Sequence, residues 1–137
     1  MKKTIRKAKI ETWKKKLEIW KKHMKLGDWD ISIRYSDLTY LNKREEDFTI
    51  AYLNTCYIIE KKAEILVDHN YNKIEGYIFG WNMDTTIIHE LTHVLLSRER
   101  EDLPKHIVEN KKVEKFEEFI CDLMGDLLYR ARARKSP

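Results

Sequence analysis

The stretch Asp84-Thr85-Thr86-Ile87-Ile88-His89-Glu90-Leu91-Thr92-His93-Val94-Leu95-Leu96 decides how this chain is read. It carries H-E-x-x-H inside a predicted helix that begins with Asp84 as its N-cap and runs to about Arg100. Residues four apart lie on one face of a helix, so the imidazoles of His89 and His93 can bind a single metal ion. Glu90 projects beside them, where a carboxylate can accept a proton from a metal-bound water. Ile87, Ile88, Leu91, Val94, Leu95 and Leu96 surround the motif, so the helix is expected to be buried on most sides. Two histidines and a glutamate in such a setting need a partner that offsets their desolvation. The plainer alternative is a pair of hydrogen-bonded helix histidines beside an ion-paired glutamate.

Upstream of this helix the pattern changes from helical to alternating. Thr4–Leu26 places Ile10, Trp13, Leu17, Trp20 and Met24 on one amphipathic stripe, and Gly27 stands where a C-cap glycine belongs. Asp30–Ser36 alternates strictly and reads as a half-buried strand. Phe48–Ile59, rich in Thr, Ile and Tyr, reads as a second strand, with Asp37–Asp47 as a polar loop before it. Glu60-Lys61-Lys62 reads as a turn, and Ala63–Asp68 alternates again with Ile65 and Val67 facing one way. Asn70–Asn82 reads as a loop. Downstream, Leu103-Pro104 breaks the chain and a last helix is expected from about Ile107 to Arg132. This is an α+β order with no internal repeat and no linker, so residues 1–137 are read as a single domain.

Composition narrows the class. The chain has 137 residues, 42% hydrophobic and 36% charged, with 4 Gly and 2 Pro, which excludes a flexible linker, a collagen-like chain and a low-complexity tract. Aromatic residues at 11% and a net charge of +4 argue against disorder. No apolar run approaches the roughly 20 residues that span a bilayer, and no apolar stretch follows the basic start as in a signal peptide. Cys56 and Cys121 cannot form a disulfide framework and suit a reducing compartment, so a soluble cytoplasmic protein without membrane partners is expected. Charge is uneven: residues 1–26 hold eleven Lys/Arg against two Glu, whereas residues 27–137 hold sixteen Lys/Arg against twenty-one Asp/Glu. A basic first helix can serve nucleic-acid contact, but Trp13 and Trp20 share one helical stripe, which suits burial better than base stacking.

A catalytic zinc needs a third protein ligand and one open position. Leu96 and Glu99 stand where the extended metzincin motif would have its Gly and third His, which excludes that version. A carboxylate from the following helix is the other common solution, and Glu114, Glu117 and Glu118 supply candidates, with His106 a further one. At roughly 100° per residue, Val113, Phe116, Ile120, Leu123, Met124 and Leu127 gather into one apolar arc that is expected to face the core. Glu117 lies at the edge of that arc, so Glu117 is the expected third ligand, followed by Glu118 and Glu114. His69 and His23 are read as structural or solvated.

The order of a Lys-rich amphipathic helix, Leu26-Gly27-Asp28-Trp29-Asp30-Ile31, Ala63-Glu64-Ile65-Leu66-Val67, then Thr86-Ile87-Ile88-His89-Glu90-Leu91-Thr92-His93 and a glutamate-bearing last helix, resembles the small zincin-like metallopeptidases of phages and mobile elements. These are related to the gluzincin-type group, whose zinc ligands are His, His and Glu. The resemblance runs from about Lys14 to Leu128, with only H-E-x-x-H specific. It implies a short mixed sheet packed on the active-site helix, a zinc ion, and Glu90 in the position of the catalytic base. The expected activity is peptide-bond hydrolysis of a protein or peptide substrate, with Tyr77, His106 or Tyr129 as a further oxyanion donor and Ala63–Asp68 as the sheet edge on which an extended substrate adds. The alternatives are a non-catalytic metal-binding or protein-interaction module of the same fold, which has no need of Glu90, and a nucleic-acid binder acting through the basic first helix, which is not favoured.

Overall fold

The computed structural model describes residues 10–38, 50–68 and 83–135. The expected loops Asp37–Asp47 and Asn70–Asn82 fall largely or wholly outside them, as do His69 and Tyr77. The described chain forms helix α1 (Ile10–His23), strands β1 (Asp30–Ser36), β2 (Ala51–Tyr57) and β3 (Lys62–Asp68), helix α2 (Met83–Glu101), a short helix α3 (Lys105–Val108) and helix α4 (Lys111–Lys135). This is an α+β arrangement around a small mixed sheet of order β1-β3-β2, with β1 parallel and β2 antiparallel to β3. Among the described residues, no helix is long and apolar enough to cross a membrane.

The amphipathic stripe of α1 is buried as its spacing requires: Trp13, Leu17, Trp20 and Met24 enter one core cluster with Ile31 and Ile33 of β1 and Ala63, Ile65 and Val67 of β3. Burial of both indoles removes them as stacking platforms for bases. Their polar atoms are matched, Trp13 Nε1 donating to the Tyr35 hydroxyl at 3.0 Å and Trp20 Nε1 to Asp84 at 2.9 Å. The helix does not end at Gly27. Lys25 takes the left-handed conformation at φ 60°, while Leu26 N–H donates to Lys21 C=O and Lys25 N–H to Lys22 C=O, the paired bonds of a Schellman motif.

Ala63–Asp68 was expected at a sheet edge, but β3 is the central strand, hydrogen-bonded on both sides and buried over most of its length. Among the described strands the edge next to α2 belongs to β2, whose pairing with β3 shifts register between Leu53 and Thr55. Asp84 does not act as the expected N-cap. Its carboxylate lies within the first turn of α2 and instead holds α1, accepting from Trp20 Nε1 and pairing with Lys16 Nζ at 2.9 Å. The last helix also starts later than expected. Asn110 breaks it from α3 and accepts from the backbone N–H of Lys112 at 2.8 Å, which caps α4.

The orientation of α4 departs most from expectation. Phe116, Leu123 and Leu127 of the apolar arc, together with Phe119, are 64%, 41%, 52% and 59% exposed, so the arc faces the core only along its Val113, Ile120 and Met124 side, where these residues are half-buried. Cys121 and Gly125 are buried against α2, flanked by half-buried Glu117, Met124 and Leu128. At Gly125 even a Cβ would stand 3.0 Å from the Thr85 carbonyl oxygen, so the helices approach there more closely than larger residues permit.

Trp20 is 2% exposed and spans the α1–α2 contact. Trp20→Ala should lower the unfolding free energy by about 3–5 kcal/mol, as measured by denaturant titration, and a loss below about 1 kcal/mol would contradict its place in the core.

Candidate metal centre

Helix α2 runs between sheet and α4, so its faces meet different surroundings. Ile87, Ile88, Leu91 and Val94 are buried in the core, and Thr92 returns its hydroxyl to the Ile88 carbonyl at 2.7 Å. His89 and His93 are half-buried on the face turned to α4, their ring centroids 5.0 Å apart, and Glu90 is 6% exposed beside them. These three residues floor an open groove of about 1430 Å³ whose walls include Tyr52 and Leu53 of β2 and Phe119 of α4.

Both imidazoles are gripped on both nitrogens by α4. His89 Nε2 lies 3.0 Å from Glu118 Oε2, and His93 Nε2 lies 2.9 Å from Glu118 Oε1. On the far sides, His89 Nδ1 donates to Asp122 at 2.7 Å and His93 Nδ1 donates to Glu117 at 2.6 Å. Arg100 in turn lies 3.3 Å from Glu117, so that carboxylate is held from two directions. Glu117 therefore does not occupy the position expected of it. It orients His93 from behind, and the carboxylate on which both Nε2 atoms converge is Glu118. Glu114 is exposed on α4 and His106 is exposed on α3.

This arrangement fits a bound zinc ion. Ligands held tetrahedrally at zinc–nitrogen and zinc–oxygen distances of about 2.0–2.1 Å stand about 3.3 Å apart, a few tenths beyond the observed separations. A metal-ligating histidine also typically donates its other N–H to a carboxylate, which fixes tautomer and ring orientation, and both imidazoles do so here.

The electrostatics follow from these contacts. Burial alone would lower the His89 pKa, but the Glu118 hydrogen bond and the charges of Glu90, Glu118 and Asp122 outweigh it and raise it to about 9. His93 is raised by the same contest between burial and its carboxylate neighbours. Glu118 is held well below the usual carboxylate range by hydrogen bonds from both imidazoles. Burial pushes Glu90 upward, opposed by the two imidazoles and by a hydrogen bond from the Leu53 backbone N–H. A carboxylate raised in this way is suited to taking up a proton.

Asp122 and Cys121 were not anticipated as parts of the site. The spacing of Glu118 and Asp122, four apart on α4, was the available signal for a shared face, and the hydrophobic arc pointed elsewhere. Cys121 is fully buried, and its Sγ lies within 4.8 Å of one ring nitrogen of each histidine.

The raised His89 pKa has a consequence for metal-free protein. The folded state keeps a proton that the unfolded chain releases near 6.5, so this stabilisation is complete below pH 6.5 and disappears as pH rises through about 9. Zinc requires neutral imidazoles, so its stabilisation should instead grow over the same interval. Thermal midpoints from pH 6.5 to 9 should fall with a chelator present, and the increment added by zinc should increase. A zinc increment independent of pH would contradict imidazole ligation. Glu118→Gln should weaken zinc binding more than Glu117→Gln, for which about 10–100-fold is expected of an outer partner. Competition with a chromogenic chelator checks the order, and a reversed order would restore Glu117 as the ligand.

Comparison of the chain with protein-family models, with curated proteins and with solved structures finds no match.

Proposed function

We propose that this protein is a zinc-dependent peptidase in which His89, His93 and Glu118 hold the metal and Glu90 is the general base. The observation that carries this reading is the convergence of both Nε2 atoms on Glu118 with Glu90 buried beside them. A purely structural histidine pair has no use for a fourth, desolvated carboxylate at that point. When bound, zinc supplies a Lewis acid that brings the pKa of a water to about 7 and polarises the scissile carbonyl.

The chain's own residues supply the rest. Glu90 takes the proton from the attacking water and delivers it to the leaving amine, and its upward-shifted pKa favours the first of these transfers. Glu117 and Asp122 hold the two imidazoles in place through Nδ1, and Arg100 holds Glu117. Leu53 N–H fixes the Glu90 carboxylate and links the catalytic base to the β2 edge. An extended peptide adding to β2 would run along the groove past Glu90, which makes β2 the substrate-binding edge in this reading. The non-catalytic alternative leaves the desolvation of Glu90 without a purpose, and the nucleic-acid alternative lacks its aromatic platforms because Trp13 and Trp20 are 0% and 2% exposed.

Glu90→Gln keeps shape and removes the base. The variant should bind zinc at the wild-type ratio, as measured by elemental analysis, and lose at least about 10²-fold in hydrolysis of a peptide library. Wild-type protein that binds no zinc, or a Glu90→Gln variant as active as wild type, would refute the proposal.

A further inference from the structure

We propose that Cys121 is a fourth protein ligand of the resting metal centre beside His89, His93 and Glu118, and that it gives up this position to the water that Glu90 activates. The inference deepens the metal reading above and rests on it. Cys121 follows Glu118 by three residues on α4, which puts thiol and carboxylate on neighbouring parts of one helical surface. Its Sγ, one nitrogen of His89 and one of His93 lie within 4.8 Å of one another. Tetrahedral zinc with a bond of about 2.3 Å to sulfur and about 2.0–2.1 Å to nitrogen holds sulfur and nitrogen about 3.6 Å apart and the two nitrogens about 3.3 Å apart, a closing movement of about 1.5 Å at most. Two imidazoles, one thiolate and one carboxylate form a donor set of the kind zinc accepts.

The surroundings separate a ligand from other uses of a cysteine. Cys121 is 0% exposed, so its sulfur is shielded from solvent. Without a cation, burial and the charges of Glu118, Glu117 and Glu90 keep the thiol protonated, which excludes a ready nucleophile. A bound cation inverts that balance, because a coordinating thiol is deprotonated outright. In the binding step the S–H bond breaks, its proton leaves to solvent, the sulfur–metal bond forms and the metal gives up one water. The competing explanation is that Cys121 only provides a small apolar side chain where α4 approaches α2.

Cobalt(II) distinguishes the two. The full chain, stripped with a chelator and loaded with Co2+, should show visible bands of tetrahedral cobalt together with a near-ultraviolet thiolate-to-cobalt charge-transfer band. Cys121→Ser and Cys121→Ala should lose the charge-transfer band, keep bound cobalt and release zinc to a competing chelator about tenfold more readily or beyond, the scale on which even outer-shell partners act. Tetrahedral visible bands without the charge-transfer band in the wild-type protein would overturn Cys121 as a ligand and leave the metal centre standing. Failure of the wild-type protein to bind cobalt or zinc would bring down the metal reading and this inference together. The wild-type spectrum decides the matter even if neither variant folds.

Discussion

The close packing of α4 on α2 is the contact on which the site depends. Gly125 lies where a Cβ would meet the Thr85 carbonyl oxygen at 3.0 Å, and Cys121, one turn earlier, is fully buried in the same seam. Small residues at these two positions let the helix backbones approach, and that approach brings Glu117, Glu118 and Asp122 within hydrogen-bonding reach of both histidines. A glycine inside a helix costs about 1 kcal/mol relative to alanine. Its presence in α4 is accounted for by this seam, where a larger side chain would hold the carboxylates away from the imidazoles.

Bringing the helices together concentrates charge. Glu90, Glu117, Glu118 and Asp122 surround two imidazoles, and Arg100 is paired with Glu117. In metal-free protein, protons on the imidazoles offset part of this negative charge, which is why His89 is raised to about 9. A divalent cation offsets more of it from a single point. In the proposed metal centre the acidic cluster would both strengthen cation binding and make that binding compete with protons. The same cluster has a division of labour set by position: Glu118 faces the convergent nitrogens, whereas Glu117 and Asp122 approach from the opposite side of each ring.

The sheet positions the other half of the groove. β3 is sandwiched between β1 and β2, which gives the edge beside α2 to β2. Cys56 of β2 donates to Ser97 of α2 at 3.4 Å, and Leu53 N–H reaches Glu90, so the strand is tied to the helix at two places. On the far side, Trp20 and Lys16 of α1 hold Asp84 at the start of α2. The helix bearing the histidines is thus fixed from the sheet, from α1 and from α4.

What the sequence determined by itself was whatever depends on short-range periodicity. The α1 stripe, the alternating β1 and β3, and the helix carrying His89, Glu90 and His93 were all legible, because neighbours at spacings of two, three or four residues reveal which face must be buried. Only the tertiary structure decided matters that depend on which surfaces meet. Strand order made β2 the edge, a long-range pairing that the alternation in β3 does not encode. The recruitment of Asp84 by Trp20 and Lys16 bridges 64 and 68 residues, beyond the reach of local capping rules. On α4 the apolar arc identified a hydrophobic face, but steric fit selected the narrower face of Cys121 and Gly125 for packing. Rotating the helix onto that face exchanged Glu117 for Glu118 as the carboxylate opposite both Nε2 atoms and brought in Asp122, because adjacent helical residues differ by about 100° in direction.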